Sequence, residues 1–326
     1  MRKINYGLMA LLALLMFSTS SCGDAERQNY DGPNYILFSD TLTVLAVQNN
    51  EEVFNVSVAA TQACSYDRTL AVEVVEQKSN AIEGKHYSIE SNTITIKAGE
   101  RAANVHIRGN YDAISATDSL GLTLRLLTEK GNQWDMYNKN YEAKVILQKC
   151  CPFSMDLFAP YGNEAEGKHG FAVVTSTYMQ EFMPNVKNRL VKTVADPEEE
   201  NTIIMKDFFY DGYDVKIHFT TNDILNPLIE MKEQTFASTA EAFGTNYGDG
   251  YLHLYQPSSG VSYYSACEKF IFQYFTLYVP GMAGNNVVGT FASAIEWVDH
   301  DEAKKIFLEG SMLISESVTT TFEKEK

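Results

Sequence analysis

The sequence predicts an all-β protein of two domains, an N-terminal β-sandwich followed by an aromatic-rich antiparallel β-sandwich or barrel. Three observations predict this. Apolar and polar residues alternate with period two almost throughout 35–148, as half-buried strands require. The remainder continues in strand-like runs broken by Gly and Pro turns, with only two short helical signals. Finally, 19 Tyr and 18 Phe bring the aromatic share to 12%, a composition that suits strands. At 326 residues the chain can bury a core in each of two domains.

The order of elements begins with a leader. Arg2 and Lys3 precede the apolar run Gly7–Phe17, and Ser18, Thr19, Ser20, Ser21 and Cys22 follow. The run is well short of the roughly 20 residues a bilayer-crossing helix needs. Charged start, short apolar segment and small-residue zone read as a signal peptide over residues 1–21. The cysteine directly after the small residues resembles the lipobox of bacterial lipoproteins, and its serine-rich form resembles that of the Bacteroidetes. The resemblance implies that Cys22 receives a diacylglycerol and becomes the mature N-terminus, held at the outer membrane and facing the cell surface. Several acyl chains, each contributing about 0.8 kcal/mol per buried CH₂, make such an anchor stable. Polar residues up to 34 then form a lipidated tether spanning 22–34.

The first domain is expected over 35–149. Phe54, Val56 and Val58 alternate with Asn55 and Ser57, and Leu70, Val72 and Val74 form the next inward set. Ile94 and Ile96 lead through a Gly99 turn to Val105 and Ile107. Leu120, Leu122, Leu124 and Leu126 follow, and Ala143, Val145 and Leu147 close the series. Seven or eight such strands argue for a sandwich. The segments Glu83-Gly84-Lys85-His86-Tyr87, Asn92-Thr93-Ile94-Thr95-Ile96-Lys97-Ala98-Gly99-Glu100 and Val105-His106-Ile107 resemble a Calx-beta type immunoglobulin-like domain. Domains of that type often hold calcium with paired aspartates. Here Tyr111-Asp112-Ala113 and Thr117-Asp118-Ser119 stand instead, so no metal site and no cofactor are expected.

The second domain, 150–326, starts where the alternation stops, at Lys149-Cys150-Cys151-Pro152-Phe153. Its expected strands are a pair within 207–219 turning at Asp211-Gly212, one at 228–236, and a hairpin of 251–255 with 261–264. A buried central strand at 270–279 and another at 287–298 complete them. Short helices are expected at 238–243 and 301–307, the latter opened by Asp299. Of the cysteines beyond Cys22, adjacent Cys150 and Cys151 make a poor pair. Neighbouring Cα atoms lie about 3.8 Å apart, and disulfides prefer about 4.4–6.8 Å. A bridge from Cys64 to one of them stays open, with buried free thiols, Cys267 included, the expected state. Two such domains behind a lipobox resemble Bacteroidetes lipoproteins of domain-of-unknown-function families. Many of these look like accessory parts of surface glycan capture or adhesion, and others like fimbrial subunits.

Composition and motifs narrow the function. A net charge of −16 repels phosphate backbones, so nucleic acid is not an expected partner. No His-Glu-x-x-His, Gly-x-Ser-x-Gly or phosphate-loop motif occurs, and the six His are scattered without metal spacing, so no catalytic residues are expected. Binding is better represented. A Pro257–Gly260 turn would pair Tyr255 with Ser262 and His253 with Tyr264. Tyr251, His253, Tyr255 and Tyr264 would then share one face, opposite Leu252, Leu254 and Tyr263. Tyr presents an apolar ring with a polar tip, which suits stacking against sugars. Trp134, Tyr137 and Tyr141 form a second aromatic group. The expectation is therefore a lipid-anchored, non-enzymatic binding or adhesion module, its partners the membrane and a glycan or envelope protein. A self-assembling fimbrial or stalk subunit is the alternative.

Overall fold

A computed structural model describes residue 32 and residues 34–127, 141–183, 185–282, 284 and 286–325. The leader with Cys22 lies outside the described residues, as do Trp134 and Tyr137. The fold is all-β apart from short helices.

Residues 36–149 form nine strands: β1 (Ile36–Phe38), β2 (Leu42–Val47), β3 (Val53–Ala60), β4 (Arg68–Val74), β5 (Tyr87–Ile89), β6 (Thr93–Ile96), β7 (Ala102–Gly109), β8 (Leu120–Leu127) and β9 (Glu142–Lys149). They build two facing sheets, ordered β1-β3-β7-β5 and β2-β9-β8-β4-β6. Every pairing is antiparallel except β2 with β9. The first strand line breaks at Ser39–Thr41, which sends β1 into one sheet and β2 into the other. Alternation then buries one face of each strand. Val56, Val58, Ile96, Val105, Ile107, Leu122, Leu124, Val145 and Leu147 meet in one core. The anticipated Gly99 turn forms, with Gly99 at φ +81° and the Glu100 N–H donating to the Lys97 carbonyl at 2.9 Å. A positive φ there is why glycine is needed.

From residue 170 onward a third sheet runs through β10 (Gly170–Ser176), β11 (Asn188–Ala195), β12 (Thr202–Lys206), β13 (Val215–Phe219), β14 (Ile229–Glu230), β15 (Gln234–Ser238), β16 (Tyr251–Tyr255), β17 (Tyr263–Ser265), β18 (Phe270–Tyr278), β19 (Val287–Val298) and β20 (Leu313–Ile314). Its order is β14-β13-β12-β11-β10-β19-β18-β16-β15, with β17 also on β18 and β20 parallel to β11. The sheet closes on itself. Ile229 N–H donates to the Ser262 carbonyl at 3.1 Å and Tyr264 N–H to that of Pro227 at 2.8 Å, joining β14 to β17. The side-chain amide of Gln234 bridges β15 to the backbone of Lys216 on β13. The result is a barrel filled by rings, among them Phe158, Tyr178, Phe209, Phe219, Phe236 and Phe275. These contacts cover part of the sheet edges, which would otherwise invite aggregation.

Among the described residues four α-helices flank the barrel. In α1 (Thr177–Phe182) the Ser176 side chain caps the start, accepting from Tyr178 N–H, and Tyr178 is buried. The expected helix near 238–243 is α2 (Thr239–Phe243), capped by Ser238 and stopped by Gly244 at φ +73°. That near 301–307 is α3 (His300–Glu309), capped by Asp299. The sequence reading missed α4 (Glu316–Lys324), whose threonine-rich run offers only Val318 and Phe322, one turn apart, as an apolar stripe. Both pack under it with Phe171, Leu190, Ala303 and Ile306.

Three expectations are corrected. The strand pair within 207–219 turns more widely, β12 ending at Lys206 and β13 starting at Val215. The run 228–236 splits into β14 and β15. Cys151 and Cys267 form a disulfide with Cα atoms 5.1 Å apart, leaving Cys64 and Cys150 free. With the two cysteines 116 positions apart in sequence, that approach depends on the barrel bringing the β17–β18 turn back to the first residues after β9.

Candidate functional site

The expected hairpin does not form. Strands β16 and β17 never pair with each other; both run antiparallel to β18 along the same edge, one after the other. Tyr255 faces Thr276, and the next paired residue of that line is Tyr263, facing Phe272. Residues 256–262 are an excursion held down at both ends, with Pro257 buried. The Ser262 hydroxyl accepts from Tyr274 N–H at 2.9 Å, and Gly260 lies on the Tyr274 ring at φ +109°.

This excursion reverses one arm of the predicted face. Tyr264 sits opposite Ile271, an inward position, and is 4% exposed. Its ring contacts Phe153, Phe158 and Phe219 at 5.5, 6.1 and 5.1 Å, and burial pushes its phenol above the ordinary range. Tyr264 is therefore core, and Tyr263, expected on the other side, points outward. The other three predicted residues keep a common outer face. Tyr251 is exposed and His253 and Tyr255 are half-buried, while Leu252 and Leu254 are buried beneath. Tyr141, at a turn before β9, lies on the sandwich and adds nothing to this face.

The structure supplies further rings from β18. Phe270, Phe272, Tyr274 and Tyr278 occupy alternate positions and are all half-buried, while Ile271, Gln273, Phe275 and Leu277 point into the barrel. Sequence reasoning treated this run as buried on both faces; the rings at 270, 272, 274 and 278, interrupted in that alternate series only by Thr276, were the available signal. Tyr278 centres one cluster, with His253 at 5.5 Å and Tyr255 at 5.7 Å. Phe272 centres the other, with Tyr274 at 5.1 Å and Tyr263 at 5.8 Å. Between them the Thr276 hydroxyl bonds that of Thr290 at 2.8 Å. From Phe272 to Tyr278 the ladder runs about 20 Å, at roughly 3.4 Å per residue.

Carboxylates border these rings. The Tyr278 hydroxyl donates to Glu233, and that hydrogen bond, with burial and the carboxylate charge behind it, pushes its pKa up to about 12, so it remains a donor. His253 Nε2 lies 3.1 Å from Asp249, whose carboxyl is held below its ordinary value, first by the Tyr251 N–H. The arrangement offers flat apolar surfaces with hydroxyl tips under a negative potential, which favours stacking against an uncharged ring that donates hydrogen bonds. A larger concavity of about 910 Å³ lies elsewhere, between α4 and the barrel. Two of its lysines are already paired, Lys192 with Glu164 and Lys206 with Asp214. The aromatic face is the better candidate.

A family model described as "Domain of unknown function (DUF4984)" matches residues 137–309, more than half of the chain. No curated protein matches it. Among solved structures it is similar to a Bacteroides ovatus protein of unknown function, at 10% identity and TM-score 0.32, covering 82% of this chain and 95% of that one. It is also similar to an auxiliary nutrient binding protein from Bacteroides thetaiotaomicron, at 13% identity and TM-score 0.30, covering 79% and 91%. The apo-form Calx CBD1 domain matches at 16% identity and TM-score 0.29, covering 36% of this chain and 98% of that domain.

Proposed function

Since the chain belongs to the DUF4984 family of domains of unknown function, we propose from its own chemistry that it is a non-catalytic glycan-binding module of the cell envelope. Cys22 carries the lipid that anchors it to the outer membrane, and the barrel presents its aromatic face outward. The observation that carries this reading is the ladder of rings on β16 and β18, half-exposed on a sheet whose other face is a packed core. Monomeric proteins seldom leave contiguous apolar surface of this kind without a partner. The ligand is a neutral glycan, because five of the outward rings are Tyr (251, 255, 263, 274 and 278) and the chain's −16 charge opposes anionic sugars.

The test is calorimetry of the protein against soluble neutral polysaccharides, with Tyr255→Ala, Tyr278→Ala as the paired variant. Stacked rings contribute about 0.5–1.5 kcal/mol each beyond buried area, so losing two should weaken binding by about tenfold or more. No binding by the unaltered protein, or binding indifferent to both rings, would sink the reading.

A further inference from the structure

We propose that the cleft between the sandwich and the barrel is the terminal subsite of the same ligand site, holding the end ring of a neutral oligosaccharide; this rests on the glycan reading above. The first reason is continuity. Tyr263, the last ring of the ladder, is also a wall of a cleft of about 620 Å³ between the two bodies. That volume falls within the roughly 300–1,000 Å³ typical of ligand clefts, which favour domain interfaces.

The two walls differ in chemistry. The barrel contributes Tyr263, Ile224 and Pro227, an aromatic and apolar surface. Facing it, the sandwich contributes Gln48, Thr117 and Gln148. Gln148 is exposed and Gln48 half-buried, so both side-chain amides are within reach of a ligand in the cleft. A pyranose ring has this same division, an apolar face and a rim of hydroxyls. An entirely apolar ligand would cover both amides without satisfying them, which is costly. Lys149 and Glu268 both line the cleft and offset each other, and the acidic chain as a whole disfavours an anion.

The cleft is also held in shape. Cys150 N–H donates to the Val47 carbonyl at 2.9 Å, extending the sandwich ladder by one residue. The next residue, Cys151, is covalently bound to Cys267 on the barrel. Two consecutive residues thus fix both walls, and the Cys151 sulfur lies 3.1 Å from the Tyr111 hydroxyl of the sandwich. Walls fixed before binding lose less entropy when a ligand enters.

An oligosaccharide must be long enough to reach from the cleft to Tyr278 before both subsites contribute. The experiment measures affinity for a neutral oligosaccharide series, disaccharide to octasaccharide, drawn from whichever polysaccharide binds. Three proteins are compared: the unaltered chain, Gln48→Ala with Gln148→Ala, and Ala266→Trp, which fills the cleft. Affinity should rise with length in the unaltered chain, and both variants should lose about tenfold for the longest members, with melting temperature unchanged in the glutamine pair. If the glutamine pair binds normally while Tyr255→Ala, Tyr278→Ala does not, the cleft proposal is overturned and the aromatic-face reading stands. If the tyrosine pair also binds normally, or no neutral glycan binds at all, both are overturned. A peptide displaced by Ala266→Trp in place of a sugar would overturn the proposal too.

Discussion

Tyr263 and Tyr264 are consecutive in the chain and stand on opposite sides of the barrel wall, the first 41% exposed and the second 4%. Strand alternation sends one ring to solvent beside Phe272 and the other among Phe153, Phe158 and Phe219. Their substitutions should therefore separate by stability alone. Removing a buried aromatic costs about 3–5 kcal/mol, whereas an exposed one typically shifts stability by about 0.5 kcal/mol. Tyr264→Ala should lower the melting temperature by several degrees and Tyr263→Ala hardly at all. Equal melts would mean that the inward assignment is wrong.

The origin of that division shows how far the sequence could be read. Period two carried β3, β4, β6, β7, β8 and β9, because each of those strands keeps one face buried. It also showed that Leu252 and Leu254 point away from Tyr251, His253 and Tyr255. What periodicity could not show was which strand lies alongside. A Pro-Ser-Ser-Gly stretch suits a tight hairpin, so Tyr264 fell on the wrong face, although the barrel uses that stretch as an excursion in one strand line. The same blindness to long-range pairing hid the Cys151–Cys267 bond. Helix α4 escaped notice because two apolar residues in a threonine-rich run give almost no periodic signal.

The disulfide should be a main support of the barrel. By restricting the unfolded chain, a bridge spanning a long loop typically adds about 2–4 kcal/mol. Cys267→Ser should lower the denaturant midpoint accordingly. Cys150 is buried, and burial pushes its thiol above the ordinary range, so it should resist alkylation in the native protein. The half-buried Cys64 should react first. Mass spectrometry of the alkylated native protein checks both, and two further labelled cysteines at 151 and 267 would refute the bond.

Acid should loosen the C-terminal helix before the rest. The N-terminus of α4 docks on the β12–β13 loop, where Ser317 N–H donates to Asp207 at 2.8 Å and Glu316 N–H to Asp211 at 3.1 Å. Burial alone raises the Asp207 carboxyl, yet the Gly212 and Ser317 N–H groups and Arg189 outweigh it and hold it below its ordinary value. A carboxyl lowered by folding adds stability above its unfolded value of about 3.9, and that contribution is lost as pH falls through the folded value. Amide exchange in residues 318–324 should accelerate below about pH 4. Asp207→Asn keeps a residue tolerant of the φ +52° found there but removes the charge, so its exchange should vary less with pH. Identical profiles for the two proteins would exclude Asp207 as the titrating group.

The proposed lipid anchor can be tested without any ligand. Cys22→Ala removes the only sulfur positioned for acylation in the Ser-Thr-Ser-Ser-Cys stretch. The variant should leave the membrane fraction while the unaltered protein resists carbonate washing. Retention of the variant under the same wash would rule out lipid attachment at that residue.

One pair of residues inside the barrel predicts a gain. Gln273 on β18 and Ser293 on β19 are cross-strand neighbours, both buried. Neither polar atom of the Gln273 amide, nor the Ser293 hydroxyl, has a hydrogen-bond partner among the described residues. Such orphaned groups cost about 1–3 kcal/mol each, and an apolar group of similar shape avoids that cost. Met matches Gln in length and adapts to irregular spaces, so Gln273→Met should fit without repacking. A gain of about 1 kcal/mol corresponds to roughly 2–4 °C in a domain of 150–250 residues. Because the two side chains face each other, Ser293→Ala should add less in the Gln273→Met background if the two groups interact, and its full effect if they do not. A fall in melting temperature for Gln273→Met would show that the amide is engaged in the folded protein and that the barrel interior is polar at this level.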